Sequence, residues 1–102
     1  MSEISRNSSG IVVKPGKDIV ASMANEFRSE LYNLVQEGPK ELIVDLEGVA
    51  IIDSVGIGVM IATHNSLNKV GGKLKIIHAE KNIYDLFSTM RLNRHFTVEG
   101  DG

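Results

Sequence analysis

The sequence predicts one α/β domain in which a mixed, mostly parallel β-sheet with an N-terminal edge hairpin packs against α-helices. The chain has 102 residues, of which 42% are hydrophobic and 24% charged, the balance of a single compact domain. An amphipathic stripe from Val20 to Val35 predicts a long helix. Apolar segments typical of strands alternate with helical segments, and this alternation requires right-handed crossovers between parallel strands.

The N-terminal part of the chain predicts a hairpin followed by a helix. Two strand patterns, at residues 3–6 and 11–13, flank a turn cluster of Asn, Ser and Gly residues, and Pro15 stops the second strand. The apolar residues from Val20 onward recur at the i, i+3, i+4 and i+7 positions of a helix. We expect this helix to end at Gly38 and Pro39.

The middle of the chain predicts a buried strand, a second apolar run and a second helix. Residues 42–46 form the strand pattern, and residues 49–52 form an apolar run that leads directly into Asp53. The helix that begins there carries apolar residues on more than one face and closes at Gly71 and Gly72. We therefore expect it to be the most buried helix, so that an Ile61→Asp substitution abolishes folding.

The last third of the chain predicts a strand at residues 73–78, a short helix and a final strand at residues 96–98. The short helix carries a stripe that includes Ile83 and Phe87. The chain shows neither an internal repeat nor a linker between folding units, which predicts one domain over residues 3–99, with a frayed end from Glu99 onward.

Composition argues against several classes of function. The formal net charge of -2 gives no electrostatic reason to bind nucleic acid. Because the chain has no cysteine, thiolate metal sites and disulfides are excluded. No apolar stretch reaches the roughly 20 residues that cross a bilayer, so we expect no membrane insertion and a cytoplasmic protein. His64, His78 and His95 are scattered along the chain without the spacing of a metal site.

Enzyme motifs are incomplete as well. Gly56 and Gly58 lack the third glycine of a dinucleotide fingerprint, and no Gly-Lys-Ser/Thr follows to make a phosphate-binding loop. Ile52 stands where a nucleophile elbow needs its first glycine. We therefore expect no catalytic residues, no metal and no cofactor.

The segment Ile51-Ile52-Asp53-Ser54-Val55-Gly56-Ile57-Gly58 is the most informative in the chain. It places a carboxylate and a hydroxyl between an apolar run and a helix, where functional groups of open α/β sheets gather. One interpretation is structural: Asp53 or Ser54 caps the helix, while Gly56 and Gly58 allow it to approach the sheet. The other is functional, with the Ser54 hydroxyl accessible to a modifying enzyme.

The same segment resembles the Asp-Ser-x-Gly-Leu-Gly signature of the STAS domain, in particular the stand-alone anti-sigma factor antagonists of bacteria. Gly71-Gly72-Lys73-Leu74, Leu86-Phe87 and Leu92 also match that family's pattern, and the resemblance runs from about Ile11 to Val98. In the family, the serine after the aspartate is phosphorylated by a partner that is both a protein kinase and an anti-sigma factor. By position, that serine is Ser54.

The resemblance implies a binding module that is not an enzyme. Its partners would be an anti-sigma factor of the GHKL serine kinase type and a PP2C-type phosphatase, and the unphosphorylated form would release a sigma factor. The resemblance places the partner-binding surface at the start of the helix, which comprises Asp53, Ser54, Val55, Gly56 and Ile57. Two alternatives stay open, namely an accessory subunit of a lipid or solute transporter and a component of a stress-signalling scaffold.

Three positions depart from the family pattern. Val55 stands where many members have Ser or Thr, and Arg91 stands where a glycine is common. The family's Gly-x-x-Asp is altered here to Gly16-Lys17-Asp18, with about one extra residue before the helix, which puts the family's aspartate role at Asp18 in question. These differences bear on the identity of the partner rather than on the fold.

Overall fold

The computed structural model describes residues 2–100. Within them, one α/β domain contains five strands, three α-helices and a short 3-10 helix at Leu92–Arg94. The strands are β1 (Glu3–Arg6), β2 (Gly10–Lys14), β3 (Glu41–Asp45), β4 (Lys73–Ala79) and β5 (Thr97–Gly100). The helices are α1 (Ala21–Gln36), α2 (Ser54–Lys69) and α3 (Lys81–Thr89). The predicted order of strands and helices is confirmed.

The strands form one sheet in the order β1-β2-β3-β4-β5, which is their order in the chain. β1 pairs antiparallel with β2, and the other neighbouring strands pair in parallel. The predicted mixed sheet with an N-terminal edge hairpin is therefore confirmed. Because each parallel pair is joined through a helix, α2 begins near the carboxyl end of β3 and returns toward the strand starts.

The core lies between the helices and one face of the sheet. Strands β2, β3 and β4 bury alternate residues, Val13, Val44 and Ile76 among them, because successive side chains point to opposite faces. α1 contributes the fully buried Phe27, and α2 contributes Met60. Each side chain of this size stabilises the fold by about 1.5–3 kcal/mol when it leaves water.

The apolar run at residues 49–52 forms an irregular segment, in which only Ile52 forms a bridge, to Ile19, and Ile51 is exposed. Two predicted boundaries at the end of the chain need correction. The last strand begins at Thr97 rather than Phe96, because the Phe96 side chain turns into the core. Residues 99 and 100 belong to this strand rather than to a frayed end. The remainder of the predicted end, residues 101–102, lies outside the described residues.

Burial within α2 also differs from the prediction. The helix buries six residues, against five in α1 and two in α3, as expected of the most buried helix. Val55 and Ala62 are nevertheless exposed, and Ile61 is only partly buried. The prediction that Ile61→Asp abolishes folding therefore rests on a wrong placement, since the deeply buried neighbour is Met60.

Candidate phosphorylation and partner-binding site

The segment that carries Ser54 lies at the carboxyl end of the sheet. It follows β3 through a loop at residues 46–53, and its start is anchored at Asp45. Asp45 Oδ1 accepts a hydrogen bond from the Glu47 N–H at 2.9 Å and lies 2.8 Å from Nδ1 of His78. Burial raises the pKa of Asp45, but these hydrogen bonds and the His78 charge outweigh it and hold the pKa below its usual value.

Asp53 is the N-cap of α2 and also binds the start of α1. Its Oδ1 accepts from the Gly56 N–H at 3.0 Å, and its Oδ2 accepts from the Ala21 N–H at 2.9 Å. α1 has no side-chain cap from its own N-cap residue, Val20. These hydrogen bonds, led by the one from Gly56, lower the pKa of Asp53, because each stabilises the ionised carboxylate.

Asp18 holds the loop that precedes Asp53. Its Oδ1 accepts hydrogen bonds from the N–H groups of Ala50 at 2.9 Å and Ile51 at 3.0 Å. Beside it, the Ile19 N–H donates to the Ile51 carbonyl at 2.9 Å, and the Ile19 carbonyl accepts from the Asp53 N–H at 3.2 Å. The role that the sequence left in question at Asp18 is thus to bind the loop backbone from the segment before α1.

Ser54 is the first residue of α2 and is exposed. Its hydroxyl makes no hydrogen bond to any residue between 2 and 100, because the capping position is held by Asp53. Of the two structural interpretations offered above, the cap is therefore Asp53 and not Ser54. Two apolar residues close to Ser54 in the chain are exposed as well, Ile51 at 54% and Val55 at 39% exposure.

The other two residues of the predicted partner-binding surface, Gly56 and Ile57, are buried. A Cβ on Gly56 would lie 2.5 Å from the Ile19 carbonyl oxygen and 2.9 Å from methyl groups of Ile19 and Ile52. Only glycine therefore allows α2 to approach this close. Gly58 has open space at the same position, so the expectation that both glycines serve close approach is wrong for Gly58.

Three residues outside the segment add to the sequence reasoning. Arg91 adopts a left-handed conformation with φ of 59°, in the region that glycine favours and other residues adopt less often. His64 and His95, which the sequence treated as scattered, have ring centroids only 6.1 Å apart. Among residues 2–100, no group of three or more potential ligands could hold a metal ion, and no helix is long and apolar enough to cross a membrane.

With this geometry described, comparison with known proteins identifies the family. The STAS domain model matches residues 2–101. This chain belongs to the STAS domain family. The resemblance predicted from the Asp53-Ser54 segment is thereby confirmed, including its link to anti-sigma factor antagonists.

Curated relatives of this STAS domain include anti-sigma factor antagonists. The anti-sigma-B factor antagonist of Bacillus subtilis (strain 168) is 29% identical over 85 residues, which cover 83% of this chain and 77% of that protein. An anti-sigma factor antagonist from Mycobacterium paratuberculosis has the same fold, with a TM-score of 0.86 and 20% identity over 97% of this chain and 84% of that one.

SpoIIAA, an anti-sigma factor antagonist from Bacillus, also shares the fold of this STAS domain. Its unphosphorylated form superposes with a TM-score of 0.75 and 13% identity, covering all of this chain and 89% of SpoIIAA. Its phosphorylated form gives the same TM-score with 14% identity, covering 96% of this chain and 90% of SpoIIAA. One fold therefore accommodates both states of that protein.

Sequence reasoning missed Asp18 as an anchor and Ile51 as an exposed neighbour of Ser54. The Asp18 contacts join residues 32 and 33 positions apart, which no local pattern reveals. A signal for Ile51 was present, because helix and strand periodicities both break between Val49 and Asp53. Such a break indicates a loop in which one apolar side chain can point outward.

Proposed function

We propose that this protein is an anti-sigma factor antagonist whose binding is switched by phosphorylation of Ser54. In the unphosphorylated form it binds an anti-sigma factor of the GHKL serine kinase type and so releases a sigma factor. A PP2C-type phosphatase restores that form. The single observation that carries the proposal is the exposed Ser54 hydroxyl, which makes no hydrogen bond within residues 2–100 because Asp53 caps the helix.

Asp53 caps the helix and Ser54 does not, and this difference supports a switch that leaves the fold intact. A phosphoserine carries a charge of about -1.5 to -2 at neutral pH. At the first residue of a helix such a charge is stabilised by about 0.3–1 kcal/mol through the macrodipole. Because the Asp53 carboxylate already accepts the Gly56 and Ala21 N–H groups, modification of Ser54 removes no hydrogen bond from the fold.

The surroundings of Ser54 support a protein partner rather than a small ligand. Ile51 and Val55, close to Ser54 in the chain, expose apolar side chains, and a protein that docks there would remove this apolar surface from water. Within the proposed surface, Asp53, Ser54 and Val55 contact the partner. The buried Gly56 and Ile57 act indirectly, by seating the start of α2 against the sheet.

Phosphorylation would then act by charge at the interface. The added anion joins the carboxylate of the neighbouring Asp53 at a surface whose exposed apolar side chains, Ile51 and Val55, must lose water when a partner docks. The kinase supplies ATP and Mg²⁺, and this chain supplies only the acceptor hydroxyl, so the proposal gives it no catalytic residue and no cofactor. The proposed setting is the bacterial cytoplasm, without nucleic acid or membrane as a partner.

The test uses the full chain as bait in cytosol from its native host, in the forms wild type, Ser54→Ala and Ser54→Asp. We expect wild type and Ser54→Ala to capture an anti-sigma factor with kinase activity, which transfers one phosphoryl group to wild type and none to Ser54→Ala. In titration calorimetry with that partner, Ser54→Asp should bind more than about tenfold more weakly, equivalent to about 1.4 kcal/mol.

Ser29→Asp is the matched control, because Ser29 is an exposed helical serine in the middle of α1, away from the site. It should bind like wild type. Equal affinities for Ser54→Ala and Ser54→Asp, at matched melting temperatures, would contradict the switch. If wild type, Ser54→Ala and Ser54→Asp all captured a transporter ATPase equally well, the result would favour an accessory subunit of a transporter instead.

A further inference from the structure

A cavity lies at the end of the sheet opposite to Ser54, where strands β3, β4 and β5 begin. Its volume is about 320 Å³, and its rim includes the first residues of these three strands. The second half of α2 closes one side through His64, and the segment after the 3-10 helix closes another through His95 and Phe96. Nothing in the proposed switch uses this cavity.

The charges of the cavity favour an anion. Lys73 and Arg94 line it with basic side chains, and neither forms an ion pair with any residue between 2 and 100. Glu41 is the carboxylate on the same rim. Arg94 offers the planar fork of donors that matches phosphate and carboxylate oxygens, and Lys73 adds a mobile ammonium group.

The rings of the cavity favour an organic ligand over a bare ion. His64 packs against Phe96 with ring centroids 5.4 Å apart, and His95 lies 6.1 Å from His64. Phe96 is only 6% exposed, so its ring is a rigid part of the wall. His64 Nε2 lies 3.3 Å from Asn68 Nδ2, and the remaining imidazole nitrogens add donors or acceptors to the apolar ring faces, a combination that suits a ring carrying hydroxyl groups.

We propose that this cavity binds a small polyhydroxylated phosphate, of the size of a phosphorylated sugar or cyclic polyol. Arg94 and Lys73 hold the phosphate, Glu41 accepts hydrogen bonds from hydroxyl groups, and the His64 and Phe96 rings contact the carbon skeleton. The volume is at the lower end of the roughly 300–1,000 Å³ that organic ligands occupy, which argues against larger compounds.

The test is an NMR titration of the ¹⁵N-labelled full chain with myo-inositol 1-phosphate, and in parallel with inorganic phosphate and with neutral myo-inositol. We expect saturable shifts at the backbone amides of the cavity residues for the phosphorylated polyol. Inorganic phosphate and neutral inositol should each bind at least about tenfold more weakly, because each lacks one set of contacts.

Variants of single cationic residues distinguish specific binding in the cavity from general attraction of an anion to positive charge. Arg94→Gln and Lys73→Gln should each weaken binding by about tenfold, since a hydrogen bond to a charged group is lost. Lys69→Gln, the control, removes an exposed lysine at the end of α2 that does not line the cavity and should leave affinity within about twofold. Ser54→Ala should bind like wild type, because the two sites are separate.

Three results would overturn the proposal. Shifts confined to residues outside the cavity would refute the location. If Lys69→Gln weakened binding of the phosphorylated polyol as much as Arg94→Gln does, the binding would be explained by non-specific attraction to positive charge. Equal affinity for inorganic phosphate and the phosphorylated polyol would remove the roles given to Glu41 and the rings. Each of these outcomes leaves the Ser54 switch untouched, so the two proposals fail independently.

Discussion

Two glycines in α2, two positions apart, should respond in opposite directions to the same substitution. In Gly56→Ala the new Cβ would lie 2.5 Å from the Ile19 carbonyl oxygen and 2.9 Å from the nearest methyl groups of Ile19 and Ile52. The nearest of these contacts is backbone, so it cannot be relieved by rotating a side chain. Overpacking of this kind costs about 1–3 kcal/mol, and we expect the upper part of that range.

The matched variant Gly58→Ala meets no atom within 4 Å. It therefore gains only the helix-forming advantage of alanine, about 0.5–1 kcal/mol. The same gain partly offsets the clash at Gly56, which leaves Gly56→Ala about 1–2 kcal/mol less stable than wild type. The free energies of unfolding of the two variants should thus differ by about 2–3 kcal/mol.

Urea denaturation followed by far-UV circular dichroism measures this difference directly. Thermal melts give a second reading, because 1 kcal/mol shifts Tm by about 4–8 °C in a domain of this size. An unchanged m value would show that both variants keep the compact native state. If Gly56→Ala proved as stable as Gly58→Ala, α2 would not sit as close to Ile19 as the structure indicates, and the argument for Gly56 would fail.

Three further predictions concern single residues. Met60→Ala should lower the free energy of unfolding by about 2–5 kcal/mol in urea denaturation, because Met60 is fully buried, whereas Ile61→Ala should cost clearly less; equal losses would contradict the burial difference. Because its pKa is lowered in the fold, Asp53 stabilises wild type fully above its unfolded value of about 3.9 and loses that contribution as the pH falls through the lower folded value. Asp53→Asn should therefore flatten the acid limb of a stability profile measured from pH 6 to pH 2, and an unchanged acid limb would refute the assignment. Arg91→Gly should raise Tm, since relief of a left-handed conformation is worth about 1 kcal/mol; a lower Tm would show that the Arg91 side chain contributes more than its backbone strain costs.

Sequence periodicity and turn residues correctly predicted the helices and their ends, because these depend on residues close together in the chain. The α1 stripe places Phe27 and Leu31 on one face, and the structure buries both. The positive φ of Gly38 just beyond α1 agrees with the predicted helix end. The capping function expected at the Asp53-Ser54 pair was also readable from sequence, because a carboxylate before an apolar helix is a common N-cap.

Contacts between distant parts of the chain could not be read in this way. The second hydrogen bond of Asp53, to Ala21, spans 32 positions, and no spacing rule predicts it. The approach of His64 to His95 depends on where α2 ends relative to the last strand. Residues 49–52 resemble a strand in composition, but Asp18 binds their N–H groups and so takes the place of a neighbouring strand.

The order of strands in the sheet also bears on how the chain emerges from the ribosome. Every strand pairs with the one before it in the sequence, so no later strand has to be inserted between two earlier ones. The sheet can grow from the N-terminal hairpin by adding one helix and one strand at a time, with a single advancing edge exposed at each stage. Each pairing then closes only the connection between consecutive strands, which lowers its entropic cost relative to a sheet that pairs strands distant in the sequence.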